Sequence, residues 1–311
     1  MAGHSSKKVI FAALIGNFLI FISKLVAALY TSSSAMFSEA IHSIVDCGNQ
    51  VLLLYGIKKA DKKADKDHPF GYGKELYFWS FCVAMLIFAV GAGVSLYEGV
   101  HKIMEPAEIR SIQINYIVLG VAICFEAYPW KMAYDEFNRR RGERGFVEAV
   151  RKSKDPSLFA ILFEDTAAML GLFAALIGLF IGDYFGIPEA DGVASVVIGL
   201  VLATTAVTLA IETKGLLIGE AADPLIVKSI REMFENHDAV DNVNEVLTMH
   251  FGPDDVLLNI SLDFRNDLPA GQVEHIITLS EREIKERHPK IKRVFIEAQS
   301  LSGHLINAQM E

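Results

Sequence analysis

Hydrophobic positions gather into six long runs, near residues 9–30, 34–57, 76–103, 113–134, 157–182 and 190–213. Each is long enough to cross a bilayer, which takes about 20 mainly apolar residues in a helix. The fourth run is the least apolar, because Glu126, Pro129 and Lys131 interrupt its second half. A kink is expected at Pro129, where a freed carbonyl needs another partner. From Asp223 the pattern shortens. Asp223-Pro224 reads as an N-cap followed by proline at the first helical position, opening a helix to about Asn236. Strands are expected at 244–250 and 256–264; in the second, Val256, Leu258, Ile260, Leu262 and Phe264 alternate with Leu257, Asn259, Ser261 and Asp263. A helix near 271–287 and a strand at 292–298 complete the order αββαβ, which suits an open-faced sandwich with its helices on one face of a sheet. The expected fold is thus an α-helical membrane domain of six transmembrane helices, residues 1–219, plus a small cytoplasmic α+β (αββαβ) domain, residues 220–311. A domain that small has a modest core, and dimerisation through it is expected.

Charge orients the spans. Lys58, Lys59, Lys62, Lys63 and Lys66 follow the second run, and Arg139, Arg140, Arg141, Arg144, Arg151, Lys152 and Lys154 follow the fourth. With Lys7 and Lys8 they fall on one side of a six-span arrangement, while TSSSA, EPAEIRS and GDYFGIPEAD face the other. Positive residues mark the cytoplasmic side or its organellar equivalent. Both termini and the C-terminal domain are expected there. The polar opening MAGHSSKK leads straight into an apolar run too long for a signal-peptide core, so no cleavable signal is expected.

Composition narrows the function. The chain is 52% hydrophobic, and its net charge of −9 gives no reason to expect nucleic acid as a partner. Cys47, Cys82 and Cys124 form no CxxC pair and read as small buried hydrophobes. No nucleotide loop, nucleophile elbow or metallohydrolase motif occurs, so an enzyme is not expected.

The candidate chemistry lies inside the apolar runs. His42 and Asp46 are four apart and share a helix face, with Glu39 on nearly the same face and Asn49 one turn on. Glu164 and Asp165 interrupt the fifth run. Ionisable groups at such depth mark cation or proton pathways by default. Imidazole and carboxylates from two helices suit tetrahedral zinc, and all must be deprotonated to bind, so metal and protons compete for the same atoms. That competition is a physical basis for antiport. The alternative is a polar contact that only joins helices, and it is the first reading for Asn17, Lys24 and Glu126. The loop DKDHPFGYGKE at 65–75 is a second dense motif: Asp65, Asp67 and His68 could hold a surface metal, or the segment is a structured turn with Lys74 and Glu75 in ion pairs. His237, His250, His275, His288 and His304 are spread out without metal-ligand spacing.

Taken in order, these elements resemble the cation diffusion facilitator family, which includes zinc transporters. The resemblance rests on SEAIHSIVD at 38–46, HPFGYGKE at 68–75, YEGVHKIMEP at 97–106, an aspartate in the fifth span, DGVASVVIGL at 191–200 and LLIGEAAD at 216–223. It implies a homodimeric antiporter that moves divalent metal, usually Zn²⁺, out of the cytoplasm in exchange for H⁺ by alternating access. It also implies His42 and Asp46 as second-span ligands and Asp165 as a fifth-span ligand. Ile161 stands four residues before Asp165, where the family usually places another ligand, so Glu164, Glu39 or water would complete the shell. This departure is similar to a divergent branch near the organellar zinc transporters. Tyr72 replaces a second loop histidine found in some members, and Glu297 stands where metal-binding members often place histidine. The expected cargo is Zn²⁺, with a Mn²⁺, Fe²⁺ or Co²⁺ exporter second and a transport-inactive sensor or partner subunit third. A bacterial inner membrane is the first expectation for location and an organellar membrane the second.

Overall fold

The computed structural model describes residues 3–106 and 111–310; residues 107–110 of the EPAEIRS loop lie outside them. Helices α1 (Gly3–Thr31), α2 (Ser34–Ala60), α3 (Glu75–Leu86), α4 (Gly93–Met104), α5 (Ile112–Arg141), α6 (Phe146–Lys152), α7 (Pro156–Phe185) and α8 (Glu189–Ile218) precede the sheet-bearing part. A π-helical segment, Ile87–Ala92, joins α3 to α4. Among the described residues, four helical stretches are long and apolar enough to cross a membrane: Glu75–Met104, Ile112–Arg139, Phe159–Phe185 and Glu189–Ile218. In α1 the described apolar helix is the shorter Asn17–Thr31. α2 has 27 residues, but Glu39, His42, Asp46 and Asn49 dilute its hydropathy. α5 remains helical through Pro129.

The chain divides into two compact units, and the division is not a single cut. One unit holds residues 1–58 and 78–214, the other 59–77 and 215–311. In the first, α5 packs against α7 and α1. α4 meets α8 at very close range: a Cβ on Gly99 would lie 2.7 Å from Val196, and one on Gly199 2.7 Å from Leu96. Small residues at such crossings let backbones approach where the hydrophobic effect cannot drive association.

The start of α2 is fixed by groups from other helices. Asp191 Oδ2, in the first turn of α8, accepts from the Ser34 amide at 2.6 Å and the Ser34 hydroxyl at 2.9 Å. A buried carboxylate there satisfies orphan amides and complements the positive end of the helix dipole. Lys102 of α4 donates to the Ser32 carbonyl at 2.8 Å, where Ser32 takes a left-handed φ of 61°. Ser195 of α8 completes the tie, 2.5 Å from Ser38 Oγ and 2.8 Å from the Ser95 carbonyl.

In the second unit α9 (Pro224–Glu235), β1 (Val240–Gly252), β2 (Asp255–Phe264), α10 (Ala270–Arg287) and β3 (Ile291–Ala298) follow in order, then α11 (Leu301–Ala308). Asp223 accepts from the Leu225 amide and Pro224 sits at the first helical position, as its sequence predicts. The sheet order is β1-β2-β3. β1 and β2 form an antiparallel hairpin, and β2 and β3 run parallel through the α10 crossover. Val256, Leu258, Ile260, Leu262 and Phe264 bury one face of β2 with Ile230 and Phe234 of α9 and Ile284 of α10. Each such side chain is worth about 1.5–3 kcal/mol of transfer free energy.

Three features depart from expectation. β1 begins at Val240 rather than 244, because register shifts between Val240 and Asn242 and between Val243 and Glu245 break the alternation that marks a strand. α6 lies in the basic segment read only as charge. α11 is opened by Ser300, whose hydroxyl accepts from the Gly303 amide.

Candidate metal site in the helical unit

With its start pinned, α2 presents His42 and Asp46 one turn apart, both buried. His42 Nδ1 stands 3.2 Å from Asp46 Oδ1, an ion-pair distance without hydrogen-bond alignment. From α7, Glu164 reaches the same place. Its Oε1 accepts from Asn49 Nδ2 at 2.8 Å, one turn beyond Asp46 on α2. His42, Asp46 and Asn49 thus line one stretch of α2, and Asn49 ties Glu164 of α7 to it. Glu126 of α5 is also buried.

Much donor capacity here is unused. Both His42 ring nitrogens, Asp46 Oδ1, Asn49 Oδ1 and Gln50 Oε1 are buried without a hydrogen bond. Leaving a buried polar atom unsatisfied costs about 1–3 kcal/mol. Two adjacent carboxylates also repel unless a proton or a cation lies between them. The arrangement can therefore take up either. Among the described residues, no three His, Cys, Asp or Glu side chains stand together as a ready metal centre. A cation would have to draw these groups in.

The other sequence candidates divide. Asp165 follows Glu164 directly, so its side chain leaves the helix about 100° away, and its Oδ2 is buried without a hydrogen bond. Ile161, one turn before it, is exposed, with no donor to offer. Glu39 is held by Lys24 of α1 at 3.0 Å. Beside Asp165, Trp130 of α5 donates to Thr166 at 3.1 Å and ties α5 to α7. Sequence reasoning gave Asn49 only a neighbour's place and Asp191 none; the run of polar side chains on one α2 face was the available signal for Asn49, and DGVASVVIGL for Asp191.

The 65–75 loop belongs to the second unit. Asp65 Oδ1 accepts from the amides of Asp67 and His68, and Oδ2 accepts from the Tyr72 hydroxyl at 2.7 Å. The Tyr72 bond, with the backbone donors, lowers the Asp65 carboxyl below its ordinary range, and the same bond pushes the Tyr72 phenol up to about 12. Asp65 thus spends its lone pairs within the turn. Gly71 takes a φ of +82°, which a side chain would disfavour. Arg293 of β3 clamps the loop, donating to both Asp255 oxygens at 3.0 and 3.1 Å and to the Phe70 carbonyl at 3.0 Å. Phe70 stacks on Phe251 at 5.0 Å, and Lys74 lies 5.1 Å over the same Phe251 ring. A Cβ on Gly73 would fall 2.3 Å from the Phe251 carbonyl oxygen, so the two backbones touch. Of the C-terminal histidines, His250 is buried with Nδ1 3.0 Å from the Gly252 carbonyl, and His237 accepts from the Ala239 amide.

The chain is similar to known proteins. Residues 10–218 match the cation efflux transmembrane domain. The mitochondrial proton-coupled zinc antiporter SLC30A9 of Xenopus laevis is 30% identical over 93% of this chain and 59% of its own length. Its Homo sapiens counterpart is 34% identical over 83% of this chain and 46% of its own length. The manganese efflux system protein MneP of Bacillus subtilis (strain 168) is 24% identical over 94% of this chain and 95% of its own. The chain spans about half the length of the two antiporters it matches. The match over residues 10–218 shows that the chain belongs to the cation efflux family, a family of membrane transporters and not of enzymes.

Proposed function

We propose that the chain carries a divalent metal cation across a membrane, most favourably Zn²⁺ in exchange for H⁺, with His42, Asp46 and Glu164 as the groups that take the cargo. The observation that carries this reading is the buried pair His42 and Asp46 on α2, with Glu164 of α7 held to the same helix through Asn49 and both imidazole nitrogens free of hydrogen bonds. Imidazole and carboxylate are zinc donors, and protons compete for them, so cargo and proton occupy the site alternately. Asp165 is the nearest further oxygen donor along α7, and rotation or rocking of that helix against α2 would exchange it for Glu164. α1 and α2 cross the membrane with the four more apolar stretches, making six spans with both termini on the cytoplasmic side. Two copies associate through the sheet-bearing unit. The relatives' names support both cargoes, zinc for the antiporters and manganese for MneP.

A Mn²⁺ exporter is the second reading, favoured by the two carboxylates against one imidazole, since carboxylates suit harder ions. Metal uptake into proteoliposomes under an imposed pH gradient, with Zn²⁺, Mn²⁺, Fe²⁺ and Co²⁺ in turn, tests both. Gradient-dependent zinc uptake is expected. Flux of another metal alone would move the cargo to that ion, and no flux from folded protein would replace transport with a sensing or partner-subunit role.

A further inference from the structure

Lys24 lies in the apolar part of α1 with its side chain fully buried. Its ammonium donates to Glu39 Oε2 at 3.0 Å and to Ser43 Oγ at 2.9 Å, both on α2. Glu39 is equally enclosed. Its second oxygen, Oε1, has no hydrogen bond and sits against the α7 backbone, where a Cβ on Gly171 would come within 2.3 Å. As a way of joining three helices, a desolvated ion pair is a poor choice, because well-packed apolar side chains often do as well or better. Its position suggests more. Glu39, His42 and Asp46 follow one another along one face of α2, three and four residues apart. Glu39 is therefore the carboxylate next in line for a cation held by His42 and Asp46, and the ammonium has taken it.

We propose that Lys24 is a specificity-determining positioning residue: a tethered cation that holds Glu39 out of the cargo's shell and so favours Zn²⁺ over Mn²⁺. This rests on the assignment of His42, Asp46 and Glu164 to the cargo. With Glu39 sequestered, the donor set is one imidazole and two carboxylates, within zinc's usual range. A released Glu39 adds a third carboxylate and shifts the site toward ions that prefer oxygen donors and higher coordination, such as Mn²⁺. Loss of the Glu39 charge alone does the reverse. It leaves an unpaired ammonium one helical turn from the cargo, which repels every divalent ion. Removing both charges restores neutrality at that place and with it the original preference.

The experiment measures Zn²⁺ and Mn²⁺ uptake and binding by the full chain in proteoliposomes for the parent, Lys24→Met, Lys24→Arg, Glu39→Gln, the Lys24→Met/Glu39→Gln double variant and Asp46→Ala. Lys24→Met is expected to shift the Mn²⁺:Zn²⁺ ratio toward manganese by about 10–100-fold, the range over which groups behind the ligands tune metal sites. Glu39→Gln is expected to weaken both metals, Lys24→Arg to keep the parental ratio, and the double variant to return to it. A helix contact without influence on the cargo would alter stability and leave the ratio alone. An unmoved ratio in folded Lys24→Met, while zinc flux still depends on Asp46, overturns the role of Lys24 and leaves the site intact. Zinc flux that survives Asp46→Ala overturns the site and the role together. Should Lys24→Met not fold, the other two variants decide: undiminished metal binding in Glu39→Gln, or a manganese-shifted double variant, overturns the proposal.

Discussion

In the helical unit Lys24 and Glu39 meet at 3.0 Å with neither side chain exposed at all, whereas in the sheet-bearing unit Lys285 and Glu281 meet at 2.6 Å with 41% of each side chain exposed. The two contacts look alike on paper and differ in what they can do. An exposed pair is screened by water and contributes about 0–1 kcal/mol. A buried pair keeps nearly all of its field, at a desolvation cost that only full pairing offsets. The sheet-bearing unit accordingly holds itself together with an apolar face and leaves its charges on the surface. The helical unit places Lys24, Glu39, Asp46, Glu126 and Glu164 inside. Removing a charge from one unit should change what the protein binds, and from the other almost nothing.

The largest expected effect is Glu164→Gln. It keeps the volume and the Asn49 contact but removes a carboxylate from the proposed cargo site, and zinc affinity measured by competition with a chelating dye should fall by more than about a hundredfold, beyond what an outer partner costs. Leu258→Ala in the sheet core comes next. Leu258 is fully buried, so β2 should lose about 2–5 kcal/mol of local stability, read by hydrogen exchange in the full chain, with the Mn²⁺:Zn²⁺ ratio unchanged. Arg293→Ala removes the clamp on the 65–75 loop and should lower exchange protection there by about 1.5–3 kcal/mol, the worth of hydrogen bonds to a charged group, reduced by partial exposure.

A smaller effect concerns the loop's pH response. The Tyr72 phenol is raised to about 12 by its bond to Asp65, above its unfolded value of about 10. Its contribution is complete below the unfolded value and lost as pH rises through the folded one. Asp65 is lowered, so its contribution is present above about 4 and lost as pH falls through that lowered value. Protection of the loop amides should therefore stay level between these limits, and Tyr72→Phe should abolish the alkaline step. The smallest effect is Lys285→Ala, expected to change stability by no more than about 0.5 kcal/mol.

The contrast between the units also governs how much could be read from sequence. Alternation in β2 and the Asp223-Pro224 start were legible, because period-two burial and N-capping are local rules. The early start of β1 was hidden by its bulges, and the π-helical segment at Ile87–Ala92 leaves no mark in an apolar run. In the site, His42 and Asp46 could be paired because four residues is a helical turn. Which of Glu164 and Asp165 turns toward α2 could not, since neighbouring residues differ only by a rotation that the packing of α5, α2 and α7 decides. Glu39 read as a candidate ligand and Lys24 as a helix contact; their meeting depends on how α1 lies on α2, and no spacing within either helix encodes it. The loop motif was visible as a turn, but its grip on Arg293, more than two hundred residues away, was not.

X-ray absorption at the zinc edge, on the full chain loaded with one equivalent of Zn²⁺, tests the cargo site most directly. The expected spectrum shows a shell of one imidazole nitrogen with oxygen donors at about 2.0–2.2 Å, and the imidazole signature disappears in His42→Ala. An unchanged shell in His42→Ala, or sulfur in the first shell, would contradict it.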